Sequence, residues 1–150
     1  MTTKTIIVVE DNKNLLELFG YALRGSGWEV ALTQGESDFW EQLRHLSPTV
    51  ILLDINLLEG SGLDIAKQLK SDPVYRDIPI LAMSGLCTRR EIQKCFEAGC
   101  ATVLSKPFQL VELQNTLADL IGTTPQQISR PQKFVARPKS GVLQRRDLHP

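Results

Sequence analysis

Eight residues near the middle of the chain, Thr49-Val50-Ile51-Leu52-Leu53-Asp54-Ile55-Asn56, constrain the fold more than any other stretch. They form an apolar, β-branched-rich run without polar alternation, and it ends abruptly on a carboxylate. A run of that kind suits a parallel strand buried on both faces. In an open α/β sheet, ligands bind just outside the carboxyl ends of the strands. Asp54 is therefore expected at the mouth of a crevice, carried on a rigid strand.

The pattern recurs on either side. Thr5-Ile6-Ile7-Val8-Val9 predicts a second buried strand, ending on Glu10-Asp11. Asn12 or Asp11 can cap the helix that follows, in which Leu15, Leu16, Phe19, Ala22 and Leu23 recur at helical spacing. Gly25-Ser26-Gly27 stops it. A short strand over residues 28–33 and a helix over 36–46 come next, the helix carrying Phe39, Trp40, Leu43 and Leu46 on one stripe until Ser47-Pro48 breaks it. Beyond Asn56 the spacing predicts a loop at 57–62 and a helix to residue 71, ended by Asp72-Pro73. A strand over 78–83 then ends at Ser84-Gly85, and a helix over 88–98 is closed by Gly99. A strand over 101–104 runs into Ser105-Lys106-Pro107, and a last helix over 110–121 repeats Leu110, Leu113, Leu117 and Leu120 on one face.

Five strands alternating with five helices mean right-handed βαβ units, an α/β fold with a doubly wound five-stranded parallel sheet covered on both faces. The flavodoxin-like strand order 2-1-3-4-5 fits five strands better than the six-stranded dinucleotide fold, and no GxGxxG follows the first strand.

The 150 residues suffice for one domain with a substantial core. Charges balance, but residues 1–121 carry 11 Lys/Arg against 16 Asp/Glu, a net of −5, whereas residues 122–150 carry 6 against 1, a net of +5. Periodicity vanishes from Gly122 onward, so the chain divides into a domain at 1–121 and a basic, proline-containing flexible tail at 122–150. Cys87, Cys95 and Cys100 form no CxxC pair, which argues against zinc and disulfides and for inert thiols. No apolar run reaches the ~18 residues a membrane span needs, and the start carries no signal-peptide pattern. A soluble cytoplasmic protein without membrane association is the expectation.

The strand ends should converge on one edge of the sheet: Glu10 and Asp11 from the first strand, Asp54 from the third, Ser84 from the fourth and Lys106 from the fifth. Three neighbouring carboxylates are stable only with a cation between them, and an all-oxygen set favours Mg²⁺. A lysine charge and a serine hydroxyl can neutralise and hydrogen-bond phosphoryl oxygens. With no Ser–His pair, catalytic cysteine or Gly-rich loop in evidence, the nucleophile is a carboxylate, and carboxylates form aspartyl phosphates. Asp54 is expected to accept a phosphoryl group.

Over residues 4–121 the chain resembles the CheY-like receiver domains of two-component response regulators. The residues that carry the resemblance are Glu10-Asp11, Asp54, Asn56 two residues on, Gly62 eight residues on, Ser84 thirty residues on, and Lys106-Pro107. The resemblance implies that Asp54 is the phosphoacceptor and that Asp11 and Asp54 ligate Mg²⁺. Glu10 would order the metal site directly or through water, and the backbone carbonyl of Asn56 would supply a further ligand. It also implies that Ser84 and Lys106 engage the phosphoryl oxygens and that Pro107 follows a cis bond, which costs little before proline. A histidine kinase or phosphotransfer protein would donate the phosphoryl group. Output would be protein–protein contact with a downstream partner or onward phosphotransfer, from a stand-alone regulator that is not an enzyme beyond its own phosphorylation and dephosphorylation. The face formed by the fourth helix, fifth strand and fifth helix would be remodelled, and it can also serve a homodimer.

Three positions depart from the family pattern. Leu58 replaces a usual proline and implies a looser loop. Gly85 replaces the alanine after the switch hydroxyl and frees that loop further. Val103 stands where the family often has an aromatic ring that turns inward on phosphorylation, and valine cannot report in that way. Two alternatives follow: a phosphorylation-independent docking scaffold, and a haloacid-dehalogenase-like phosphatase, which needs an aspartate where Asn56 stands. A flavin carrier is disfavoured because the first strand ends in acids. The basic tail (Arg130, Lys133, Arg137, Lys139, Arg145, Arg146) lacks a recognition helix, so specific DNA reading is not expected. It reads as a solubilising extension, or else as a segment that docks on an acidic partner or on the domain's own acidic surface.

Overall fold

The computed structural model describes residues 4–58 and 60–122, together with the backbone of Val142–Leu143. The order of elements is β1 (Thr5–Val9), α1 (Lys13–Gly25), β2 (Glu29–Thr33), α2 (Glu36–His45), β3 (Val50–Asp54), α3 (Gly62–Ser71), β4 (Ile80–Ser84), α4 (Arg89–Glu97), β5 (Thr102–Ser105), α5 (Leu110–Ile121) and β6 (Val142–Leu143). Strands β2-β1-β3-β4-β5 lie side by side in that order, all parallel. This is the doubly wound, flavodoxin-like layout the sequence predicts.

Helix boundaries follow local chemistry. Asn12, not Asp11, caps α1 by accepting the Leu15 N–H, Ser61 caps α3 from its hydroxyl, and Thr88 caps α4. Strand side chains alternate between two cores. Ile7, Val9, Ile51, Leu53, Ile80, Ala82 and Val103 face α2, α3 and α4, packing on Phe39, Leu43, Ile65, Leu69, Ile92 and Phe96. Ile6, Val8, Leu52, Leu81, Met83 and Leu104 face α1 and α5, packing on Leu16, Phe19, Leu23, Leu113 and Leu117. Every residue of β3 is buried, so its run had no reason to alternate apolar with polar. Each such aliphatic side chain contributes about 1.5–3 kcal/mol by leaving water.

One strand was not anticipated. Val142–Leu143 pair antiparallel with the outer edge of β5, Leu143 opposite Val103 and Val142 opposite Leu104. The sequence reading places no strand beyond residue 121, and the pairing adds this one. The pairing is too short to leave any periodic pattern, and the open edge of β5 supplies the template. The basic side chains named in the tail lie outside the described residues. Among the described residues no helix is long and apolar enough to cross a membrane.

Candidate functional site

The sheet itself brings the strand ends together. The Glu10 N–H donates to the Thr33 carbonyl, the Ile55 N–H to Met83 and the Lys106 N–H to Ser84, at 3.1, 2.9 and 2.8 Å. Together with the pairing of Val9 opposite Leu53, these bonds tie the carboxyl ends of all five parallel strands into one rim. Glu10, Asp54 and Ser84 are buried there, and Asp11 and Lys106 are half-buried. One oxygen each from Glu10, Asp11 and Asp54 lies within 4.8 Å of the others.

Lys106 closes the group. Its Nζ donates to Asp54 Oδ2 at 3.1 Å and to Glu10 Oε1. The other Asp54 oxygen accepts the Asn56 N–H at 2.9 Å, and Glu10 Oε2 accepts the Asn12 N–H at 3.3 Å. Burial, and then the hydrogen bond with Asp54, push the Glu10 carboxyl up to about 7, against the lowering pull of Lys106. Burial alone would lower the Lys106 ammonium, but its bonds and charge contacts with Glu10 and Asp54 outweigh that, and the net direction is upward. Three acids around one ammonium are thus an incompletely neutralised set, and hard, all-oxygen donors of this kind fit Mg²⁺. The Lys106–Pro107 peptide is cis.

The remaining predicted positions have distinct surroundings. The Ser84 hydroxyl spans the turn after β4, donating to the Leu86 carbonyl at 3.0 Å and accepting the Leu86 N–H at 3.2 Å. Asn56 is exposed, and only its backbone faces the carboxylate. Val103 is buried under α4 beside Cys95 and Phe96. Gly62 is where α3 meets the end of β3: a Cβ there would fall 2.3 Å from the Asp54 carbonyl oxygen and 2.7 Å from Ile55 Cα. No side chain fits that approach.

Leu58 holds a contact that sequence reasoning missed. Its side chain is exposed, but its N–H donates to Asp11 Oδ2. Proline, the usual residue of the resembling family at this position, has no N–H to give. The departure therefore adds a tether on an acid of the site. A hint was available in the sequence, since only a non-proline residue there can offer a donor.

The cysteines sit apart from this chemistry. Burial pushes the Cys95 thiol up to about 12 and raises Cys100 as well, so both remain protonated and unreactive. His45 is exposed on α2 near Glu41.

The chain has relatives among known proteins. The family model described as response regulator receiver domain matches residues 6–118. The polar-differentiation response regulator DivK of Brucella ovis is 32% identical over 120 residues, which cover 80% of this chain and 98% of that protein. Among solved structures, the chemotaxis response regulator CheY4 of Vibrio cholerae superposes with a TM-score of 0.75 at 22% identity, covering 79% of this chain and 99% of that one. A putative response regulator from Chloroflexus aurantiacus gives 0.76 at 24%, covering 81% and 100%.

Proposed function

The chain belongs to the response regulator receiver domain family, and from that premise we propose that it is a phosphorylation-controlled binding switch with Asp54 as phosphoacceptor. The observation that carries this reading is the position of Lys106, bonded to both Glu10 and Asp54 across a rim of three acids. Asp54 has a fixed orientation, because the Asn56 N–H holds one oxygen and Lys106 the other.

In the proposed reaction a carboxylate oxygen of Asp54 attacks phosphorus of a phosphohistidine on the donor protein. The P–N bond breaks as the new P–O bond forms, and the imidazole leaves with its electron pair and takes a proton. Glu10, Asp11, Asp54 and the Asn56 carbonyl are the residues that would hold Mg²⁺. When bound, the ion supplies positive charge against the acids and the phosphoryl oxygens. Lys106 exchanges its carboxylate partners for a phosphoryl oxygen, as a point charge on a flexible stem can. Ser84, on the adjacent strand end, gives up its turn bonds at Leu86 to donate to another. The turn after β4 then rearranges, and with it the surface around α4, β5 and α5. That surface passes the signal to a protein partner or serves a second copy of the chain; the domain turns over no external substrate.

Intact-protein mass after treatment with acetyl phosphate tests the chemistry, with and without Mg²⁺, on wild type and Asp54→Asn. The expected result is a Mg²⁺-dependent phosphoryl adduct that is absent from the variant. No adduct in wild type under any of these conditions would overturn the phosphoacceptor role and leave a constitutive docking module.

A further inference from the structure

Strand β5 ends the parallel sheet and sits between two helices. Val103 packs into the core under α4, and Leu104 packs against α5 on the other face. Both side chains are wholly buried. The outer rim of β5 nevertheless presents a row of backbone groups that a neighbouring strand can take up. Which amides point outward follows from the ladder: Ala82 and Ser84 stand opposite Val103 and Ser105, the Lys106 N–H donates to Ser84 in β4, and amides two residues apart face the same way. Thr102 and Leu104 therefore face β4, and Val103 faces outward. Val142 stands opposite Leu104 and Leu143 opposite Val103.

We propose that the outer edge of β5 is a strand-docking site, and that the chain's own segment at Val142–Leu143 occupies it in cis and closes it to any other strand. Three observations support this occupant. The first is the antiparallel register just described. The second is reach. Helix α5 has 12 residues, about 18 Å, and returns the chain to the foot of the sheet. The 19 residues between Gly122 and Val142 can span up to about 60 Å, ample to climb back and enter β5 from the end that carries Lys106.

The third observation is charge. Helix α5 flanks β5 and carries Glu112 and Asp119 with no Lys or Arg, whereas residues 123–146 carry six Lys or Arg and no acid. Opposite charge favours bringing a basic segment to this acidic flank, and a two-residue ladder alone would be marginal. The chemistry of a competitor is the same as that of the cis segment: an extended peptide that adds a strand through its backbone. An open β5 edge would be a template for such addition, and for self-association.

Hydrogen exchange on the whole chain of 150 residues tests the proposal residue by residue. In wild type the Val103 amide is expected to exchange at least tenfold more slowly than an open-edge amide would. Leu143→Pro removes the donor that Leu143 brings to the ladder opposite Val103 and should erase that protection. The amides of Leu104 and β3 should keep theirs, which shows that the variant is folded. Adding a synthetic peptide of residues 138–148 to the variant should restore slow exchange at Val103, and a scrambled peptide should not. Rapid exchange of Val103 in wild type would overturn the docking, and this measurement does not depend on the variant folding. Protection in wild type that grows with protein concentration would overturn the cis occupant in favour of a second copy.

Discussion

Glu10 and Lys106 should respond to mutation with opposite signs when no metal is bound. The Glu10 carboxyl titrates near 7 in the folded chain and at about 4.5 when unfolded. A folded-state value above the unfolded one gives stability that is fully present below pH 4.5 and is lost as pH rises through 7. Glu10→Gln has no proton to lose. In EDTA it should match wild type in chemical denaturation at pH 4.5 and exceed it at pH 8, by on the order of 1–3 kcal/mol. Equal stabilities at pH 8 would mean that the rim tolerates its charge. Lys106→Met leaves Glu10 and Asp54 facing each other, and at pH 8 it should cost about 1–3 kcal/mol. The acids of this site were legible in the sequence because each closes an apolar run. What they do to one another was not: Lys106 lies 96 positions from Glu10 and 52 from Asp54, and Leu58 lies 47 from Asp11. Such contacts depend on strand order, not on local pattern.

At the scale of elements, two glycines that look alike in the sequence have opposite roles. Gly62 opens α3 in a space where a Cβ would press into the backbone of Asp54 and Ile55. Gly62→Ala must move α3 or the end of β3, and it should destabilise by about 1–3 kcal/mol or more in thermal or chemical denaturation. Gly85 has nothing within 4 Å of an added Cβ and no positive φ. Gly85→Ala should leave stability unchanged or raise it by about 0.4–1 kcal/mol, by restricting the unfolded chain. If Gly62→Ala were neutral, the close seat of α3 would be wrong. Element identity was legible throughout the parallel sheet, since buried strands read as apolar runs and helices as 3.6-residue stripes. Boundaries moved by a residue or two where tertiary pairing decided them. Strand β4 begins at Ile80 and includes Ser84, and β5 includes Ser105, because the ladder with the neighbouring strand continues past the apolar run.

At the scale of the whole molecule, β5 joins the site to the edge of the sheet. This strand has four residues, and Lys106 follows it directly. The tail segment pairs at Val103 and Leu104, so under the proposed function two ligands would share one short strand: a phosphoryl oxygen at Lys106 and the chain's own β6. The missing aromatic at Val103 would remove one route by which such a strand reports on its site, and the backbone ladder would offer another. Under the proposed function Lys106 leaves Glu10 and Asp54 for a phosphoryl group, and the expected consequence is a shift at the end of β5 that weakens the pairing beside it. Beryllofluoride with Mg²⁺, acting as a phosphoryl analogue, is therefore expected to speed exchange of the Val103 amide several-fold while the amides of β1 and β3 hold. Linkage requires the converse, because two ligands that bias one element affect each other by the same factor. Leu143→Pro should then bind the analogue more tightly by the factor through which the analogue loosens the tail. If the analogue binds and Val103 exchange does not change, the edge and the site are independent. The tail would then guard β5 without reading Asp54, and the signal would leave through the turn at Ser84 alone.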